Sequence, residues 1–211
     1  MPVSVPRTAA ARRRTREVAV VREEILDAAA RAFCRAGYSA ATMQAIAREA
    51  GFAASALYTY FESKEDIHDA LIASVRQELR DSLQVTLPRG LTFAQRMESL
   101  LLRQLEQVER RREAYQLFYA LAPAASHTAR GGPPQLVVYA DLLAAWMAEG
   151  LPKAQRVHAP DLAWLFVGIA WSFKRRWLLT ATGPEAIPLT AQVERILALF
   201  LKGAEGVGVH A

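Results

Sequence analysis

Apolar positions recur at helical spacing along almost the whole chain. From Arg22 onward, Ile25, Ala28, Ala29, Ala32 and Phe33 share one face, and Gly37 closes the run as a C-cap. Thr42 is placed to N-cap a second helix, Met43 to Ala50, which Gly51 stops. A third, short helix is expected over residues 54 to 61. Ser63-Lys64-Glu65-Asp66 reads as a capping box with Asp in its fourth position, opening a long helix over 64 to 85. The stretch LPRG at 87–90 breaks the pattern. Helices are then expected at 92–110 and 113–122, a loop at 122–134 by composition, and further helices at 135–149, 160–181 and 190–203. No stretch alternates as a strand would, and no internal repeat is visible. The expected fold is therefore all-α. It divides into a basic arm at 1–16, a small helical domain at 17–66 and a larger helical domain at 67–211.

Composition sharpens this division. The hydrophobic share is 52%, enough to bury a sizeable core, and the net charge is +5. That charge is uneven: residues 1–64 carry ten Arg/Lys against six Asp/Glu, and residues 65–211 carry sixteen against fifteen. The excess at the N-terminal end suits a polyanionic partner, although charge alone fits a slightly basic protein equally well. Residues 1–16 hold five Arg, two Pro and no acid, and read as a disordered basic arm. Cys34 is the single cysteine, so no disulfide can form within the chain; it reads as a packing residue of the first helix. The arginine-rich start is followed by no signal-peptide apolar region, and the apolar runs are too short to span a bilayer. A cytoplasmic protein with no membrane partner is expected.

The segment ASALYTYFESKE, residues 54 to 65, raises a chemical question. Three aromatic rings lie within four positions, and two of them carry hydroxyls. On a helical wheel with Leu57 at the origin, Phe61 falls at about 40°, Tyr58 at about 100° and Tyr60 at about 300°. Thr59 falls at about 200° and Ser55 at about 160°. Leu57 and Phe61 thus form a core face, with a phenol on each shoulder and a polar ridge of Ser55 and Thr59 pointing away. Such a helix suits a DNA major groove, where the ridge meets base edges and the phenols reach the phosphates on either wall. Ala47 and Gly51, four apart, and Leu57, six further on, fit the close packing of a helix-turn-helix. Lys64, at the start of the next helix, suits one more phosphate. A generic three-helix bundle with amphipathic tyrosines would share much of this geometry.

The stretch ILDAAARAFCRAGYSAATMQAIAREAGFAASALYTYFESKEDI, residues 25–67, resembles the N-terminal DNA-binding domain of the TetR family of transcriptional regulators. Ile25-Leu26, Ala28-Ala29, Phe33, Gly37-Tyr38, Thr42, Ile46-Ala47, Ala50-Gly51, Leu57-Tyr58-x-Tyr60-Phe61 and Ser63-Lys64-Glu65 carry the likeness, in order and without gaps. The resemblance implies a homodimer, an N-terminal helix-turn-helix, and a C-terminal domain that dimerises and binds a small ligand. It also implies phosphate contacts from Thr42, Tyr58, Tyr60 and Lys64. One stretch departs from the family pattern. Where the family often has Ser, a basic or polar residue and Gly-Thr, this chain has Ala53, Ala54, Ser55 and Ala56. The change removes an N-cap, typically worth about 1 kcal/mol. Base readout is then left to Ser55, Thr59, Gln44 and Arg48, with help from the basic arm.

The C-terminal region is rich in rings, and three of the four tryptophans lie in residues 160–181. Singly, these rings suit ordinary core or a dimer interface; as a group they suit a pocket for an apolar or aromatic ligand. Phe118, Tyr119, Trp146 and Trp171 are the candidate walls. Lys174-Arg175-Arg176 interrupts the apolar helix. All three side chains could snorkel to solvent, or Lys174 or Arg175 could meet a ligand's negative charge. The last two long helices are expected to build the dimer through Leu162, Leu165, Ile169 and Phe173 with Val193, Ile196, Leu197 and Phe200, Gly168 allowing close approach.

The four histidines are scattered without metal-binding spacing, and no nucleophile elbow, phosphate loop or dinucleotide fingerprint is present. No catalytic residue, metal or cofactor is expected. The function expected is a transcriptional repressor released from a palindromic double-stranded DNA operator by a hydrophobic small-molecule effector. The alternative is a helical small-molecule-binding protein, or an enzyme, with no DNA role.

Overall fold

The computed structural model describes residues 9–120, 134–181, 186–206 and 208–209, and among these it is all-α. Nine α-helices follow in order: α1 Ala9–Ala36, α2 Met43–Ala50, α3 Ala54–Leu57, α4 Lys64–Leu83, α5 Phe93–Arg110, α6 Arg112–Ala120, α7 Pro134–Gly150, α8 Ala159–Thr180 and α9 Val193–Gly206. Short 3-10 turns precede α8 and α9. The chain forms two compact units that divide between Ala73 and Ser74, within α4 rather than at 66/67. The loop expected at 122–134 lies outside the described residues except Pro134, which opens α7.

In the N-terminal unit, Ile25, Ala28, Ala29 and Phe33 of α1 pack with Ile46, Ala47, Leu57, Phe61, Ile67 and Leu71, all buried. The helix ends follow their residues. Thr42 Oγ1 accepts from the Ala45 N–H at 3.1 Å, and Gly51 ends α2 at φ +75°, where the Phe52 N–H returns to the Ala47 carbonyl at 2.8 Å. Two expectations change here. Helix α1 already includes Ala9–Arg16, half of the segment read as a disordered arm, while residues 1–8 lie outside the described residues. Ala and Arg are strong helix formers and here extend a helix already nucleated by the core, with Arg13 bonded to Glu17 at 2.8 Å. Cys34, read as a packing residue, is exposed, because it sits one step round the helix from buried Phe33.

The C-terminal unit is built around α5, α8 and α9. The Phe200 ring packs on Phe166 at 5.4 Å and on Phe93 at 6.2 Å. Thr92 and Gln95 form a reciprocal capping box at the start of α5. Buried Arg111 binds Glu78 at 2.8 Å and Ser74 at 3.2 Å, and the Tyr115 hydroxyl donates to Glu78 at 3.1 Å. These bonds fasten the second half of α4 to the end of α5 and the start of α6. The expected dimer residues divide. Leu162, Ile196 and Phe200 are fully buried within the single chain, whereas Leu165, Ile169, Phe173 and Leu197 are half-buried. Helices α8 and α9 come close at Gly203, where a Cβ would stand 2.7 Å from Leu165; Gly168 faces open space.

Candidate functional site

The outward face of the N-terminal unit is set by three contacts from other parts of that unit. Helix α3 is one turn, Ala54–Leu57, rather than reaching Phe61. Ala53 stands at its N-cap in extended geometry with no side-chain cap, as its methyl group dictates. Beyond Leu57 the chain continues as a tight turn, with the Thr59 N–H on the Ala56 carbonyl at 3.1 Å and the Phe61 N–H on the Leu57 carbonyl at 3.0 Å. Arg22 of α1 donates to the Tyr60 carbonyl, and its guanidinium lies 4.0 Å from the centre of the Phe61 ring. The contact holds the turn that follows α3, whose Thr59 and Tyr60 N–H groups bond three residues back, to Ala56 and Leu57, in place of the four-residue step of an α-helix. Leu57 and Phe61 are buried, Tyr58 is 53% exposed, Ser55 and Thr59 are exposed and Tyr60 is half-buried. Gln44 and Arg48 of α2 and the N-cap residue Thr42 are exposed as well.

The second contact lies at the start of α4. Ser63 Oγ accepts from the Asp66 N–H at 3.1 Å, and the Asp66 carboxylate accepts from the Glu62 N–H at 3.1 Å, one residue earlier than a standard capping box. The Glu65 carboxylate is held below the usual range by its own backbone N–H and then by the Tyr38 hydroxyl. The backbone N–H groups of this first turn, which could otherwise meet a phosphate, are therefore largely occupied. Lys64 donates to the carbonyls of Tyr38 and Ser39 at 3.0 and 3.4 Å and lies 4.6 Å from the centre of the Tyr38 ring. It clasps the turn after α1 and keeps at most one N–H for an outside anion. The third contact joins α1 to α2, where Arg31 and Arg35 both bind Glu49. Those bonds, Arg31 first, hold the Glu49 carboxyl below its usual range. Sequence reasoning missed Arg22, because its partners are 38 residues away and nothing in local spacing marks them.

The comparisons agree with this geometry. Residues 25–71 match the model of the bacterial regulatory proteins, tetR family. Over those residues the chain is similar to the TetR family. It is 29% identical over 82 residues to the uncharacterized HTH-type transcriptional regulator YhgD of Bacillus subtilis (strain 168). That match spans 39% of this chain and 43% of the relative, so the chain spans less than half the length of that curated relative. Among solved structures, a TetR-like transcriptional regulator from Rhodococcus sp. RHA1 superposes with a TM-score of 0.65 at 22% identity, covering 89% of this chain and 97% of that one. The fatty acid degradation regulator FadR from Bacillus halodurans gives 0.66 at 19%, covering 87% and 95%. At these identities the structural likeness concerns the fold.

The C-terminal unit contains a small cavity between α4, α5, α6, α7 and α8. Phe118, Tyr119, Tyr139, Phe166 and Trp171 supply its rings, with Leu79, Gln104, Leu136 and Lys174 among the other walls. Its free volume is about 20 Å³, room for one water but not for a ring system unless the walls part. Phe118, Tyr119, Trp171 and Lys174 are therefore brought together as anticipated. Trp146 and Arg175 are not. Trp146 lies off the buried stripe of Leu143 and Met147, and the Arg96 guanidinium stands 4.7 Å from its ring centre. Arg175, one helical step from Lys174, is exposed. Lys174 is 3% exposed and donates to Gln104 Oε1 at 2.6 Å. Burial pushes its pKa down to about 7. Gln104 was not among the expected wall residues; it is a polar residue on the buried stripe of α5, and that was the available signal.

Proposed function

We propose that this chain is a ligand-responsive transcriptional regulator that represses by holding a palindromic operator as a homodimer. The observation that carries the DNA reading is the α3 turn, where Ser55, Tyr58 and Thr59 face outward over a buried Leu57 and Phe61. Ser55 and Thr59 read base edges, with Gln44 and Arg48 beside them. Tyr58, Tyr60, Thr42 and Lys64 meet phosphates. The exposed Arg12, Arg13, Arg14 and Arg16 of α1 add sequence-independent attraction. The ligand half of the reading rests on the ring-lined cavity. Helix α4 begins with Lys64 and carries Leu79 of the cavity wall, so one element bears both a DNA-side residue and a ligand-side residue. A ligand acting through it must bind the two states of the protein unequally.

A gel shift on the DNA upstream of the chain's own coding region, run at several salt concentrations, tests the DNA reading. A specific band is expected, with log K falling linearly against log salt. Thr59→Ala should change the preferred bases while leaving that slope nearly unaltered. A sequence-independent band, or none, would favour the rival reading of a helical ligand-binding protein with no DNA role.

A further inference from the structure

The interior of the C-terminal unit holds a charge-capable group in an aromatic setting. Lys174 of α8 projects into the cavity, and Gln104 of α5 is its hydrogen-bond partner among the described residues. The Gln104 amide is committed on its other side as well: its Nε2 donates to the Tyr139 hydroxyl oxygen and lies 3.4 Å from Ser82 Oγ. Ser82 in turn donates to the Leu79 carbonyl at 2.7 Å. The network therefore fixes the amine at one end of a ring-lined space and offers it a neutral partner. A buried ammonium costs several kcal/mol unless a counter-charge meets it. An amide oxygen supplies part of that compensation, and two N–H bonds of the ammonium remain to be used.

We propose that the effector is a compact aromatic carboxylic acid that enters as the cavity walls part, its ring then held among Tyr119, Phe166 and Trp171 and its carboxylate paired with the protonated amine of Lys174. This inference rests on the ligand-binding reading given above and adds the chemistry of the ligand. It follows that binding is coupled to proton uptake above neutral pH, because the empty cavity favours the neutral amine and the acid favours the ammonium. The other titratable groups in the described wall are Tyr119 of α6 and Tyr139 of α7. Burial raises both well above the ordinary phenol range, so they stay protonated and do not contribute. Helices α4 and α5 present only uncharged groups there, Leu79 and Gln104.

Calorimetric titration with 1-naphthoate and with its uncharged isostere 1-naphthamide tests this, using the full chain near pH 8 in buffers of different ionisation enthalpy. The acid should bind roughly tenfold tighter than the amide, the worth of one charge-assisted hydrogen-bonded pair. It should also take up about one proton, as linkage requires for an amine that is neutral when empty and charged when paired. Lys174→Met should abolish both the preference and the uptake while keeping the amide's affinity. If neither compound binds, the ligand-binding reading falls and this inference falls with it. If both bind equally, that reading stands and the Lys174 pairing is overturned. Preference for the acid surviving in Lys174→Met would also overturn it. Should Lys174→Met fail to fold, the wild-type chain decides alone, since acid binding without proton uptake is incompatible with the pairing.

Discussion

The two units of this chain use polar groups in opposite ways. In the N-terminal unit, the charged side chains that matter to the site sit at the surface and act on backbone carbonyls: Arg22 on Tyr60, Lys64 on Tyr38 and Ser39. They fix the path of the main chain, and the residues proposed to meet DNA are left pointing outward. In the C-terminal unit, Lys174, Gln104 and Arg111 are buried, and they act on other side chains. A half-buried clasp on a carbonyl contributes about 1.5–3 kcal/mol, and water can replace the carbonyl when it opens. A buried amine is expensive in one protonation state and tolerable in the other. Shape is therefore the adjustable quantity in the first unit, and charge is in the second.

The largest effect that could break this contrast lies at Lys174. Its folded pKa of about 7 lies below the ordinary value of 10.5. Between those two values the unfolded chain holds a proton that the folded chain lacks, so stability rises with pH through that window. Below it, the penalty is complete, on the order of 5 kcal/mol. Urea unfolding followed near pH 7 and near pH 10 should show the wild-type chain gaining stability with pH relative to Lys174→Met, and the variant should be the more stable near pH 7. Parallel pH profiles would mean that the amine is paired or hydrated in the folded state, and the contrast between the units would lose its basis.

The next effect concerns Arg22. Arg22→Met keeps an unbranched apolar stem but removes the charged donor to Tyr60 and the guanidinium contact with the Phe61 ring. A loss of about 2 kcal/mol is expected for a hydrogen bond to a charged group plus a ring contact. Hydrogen exchange should show it locally, with faster exchange at the amides of Thr59 and Phe61, while those of α2 keep their protection. Uniformly faster exchange would show that Arg22 supports the whole unit and not the turn alone.

Residues whose role depends on near neighbours were legible in the sequence. Thr42, Gly51 and Ser63 could be read as caps because a cap is defined within four residues. The burial of Leu57 and Phe61, with Ser55 and Thr59 outward, followed from spacing alone. Lys174 could be placed near the apolar stripe because it lies three residues after Trp171. What failed depended on distant partners. The turn after α3 is held by an arginine 38 residues earlier. Trp146 was read as cavity wall, but it is occupied by Arg96, 50 residues away in sequence. Ile196 and Phe200 were read as dimer residues because a helix with more than one apolar face does not reveal which face its own chain covers. An Ile196→Glu change is now expected to unfold the unit, whereas Leu197, half-buried, is the better place to probe an interface between copies.

The smallest predicted effect returns to Ala53. The residue has φ −67° and ψ 144°, the extended geometry of an N-cap, yet its methyl group accepts no hydrogen bond. The Ala56 N–H already reaches the Ala53 carbonyl at 3.0 Å. A hydroxyl at position 53 would give the first turn of α3 a side-chain acceptor without moving the main chain. Ala53→Ser should therefore stabilise the chain by about 0.5–1 kcal/mol. Residue 53 is exposed, so the added oxygen meets no packing cost. The gain should appear in thermal unfolding and in slower exchange of the α3 amides, with the amides around Lys174 unchanged. A null result would carry information about the turn: it would mean that the Arg22 contact already holds α3 so firmly that a cap adds nothing. In that case Ala53→Ser should recover its value in the Arg22→Met background. That double variant separates a turn fixed from its beginning by a cap from one fixed at its end by a distant guanidinium.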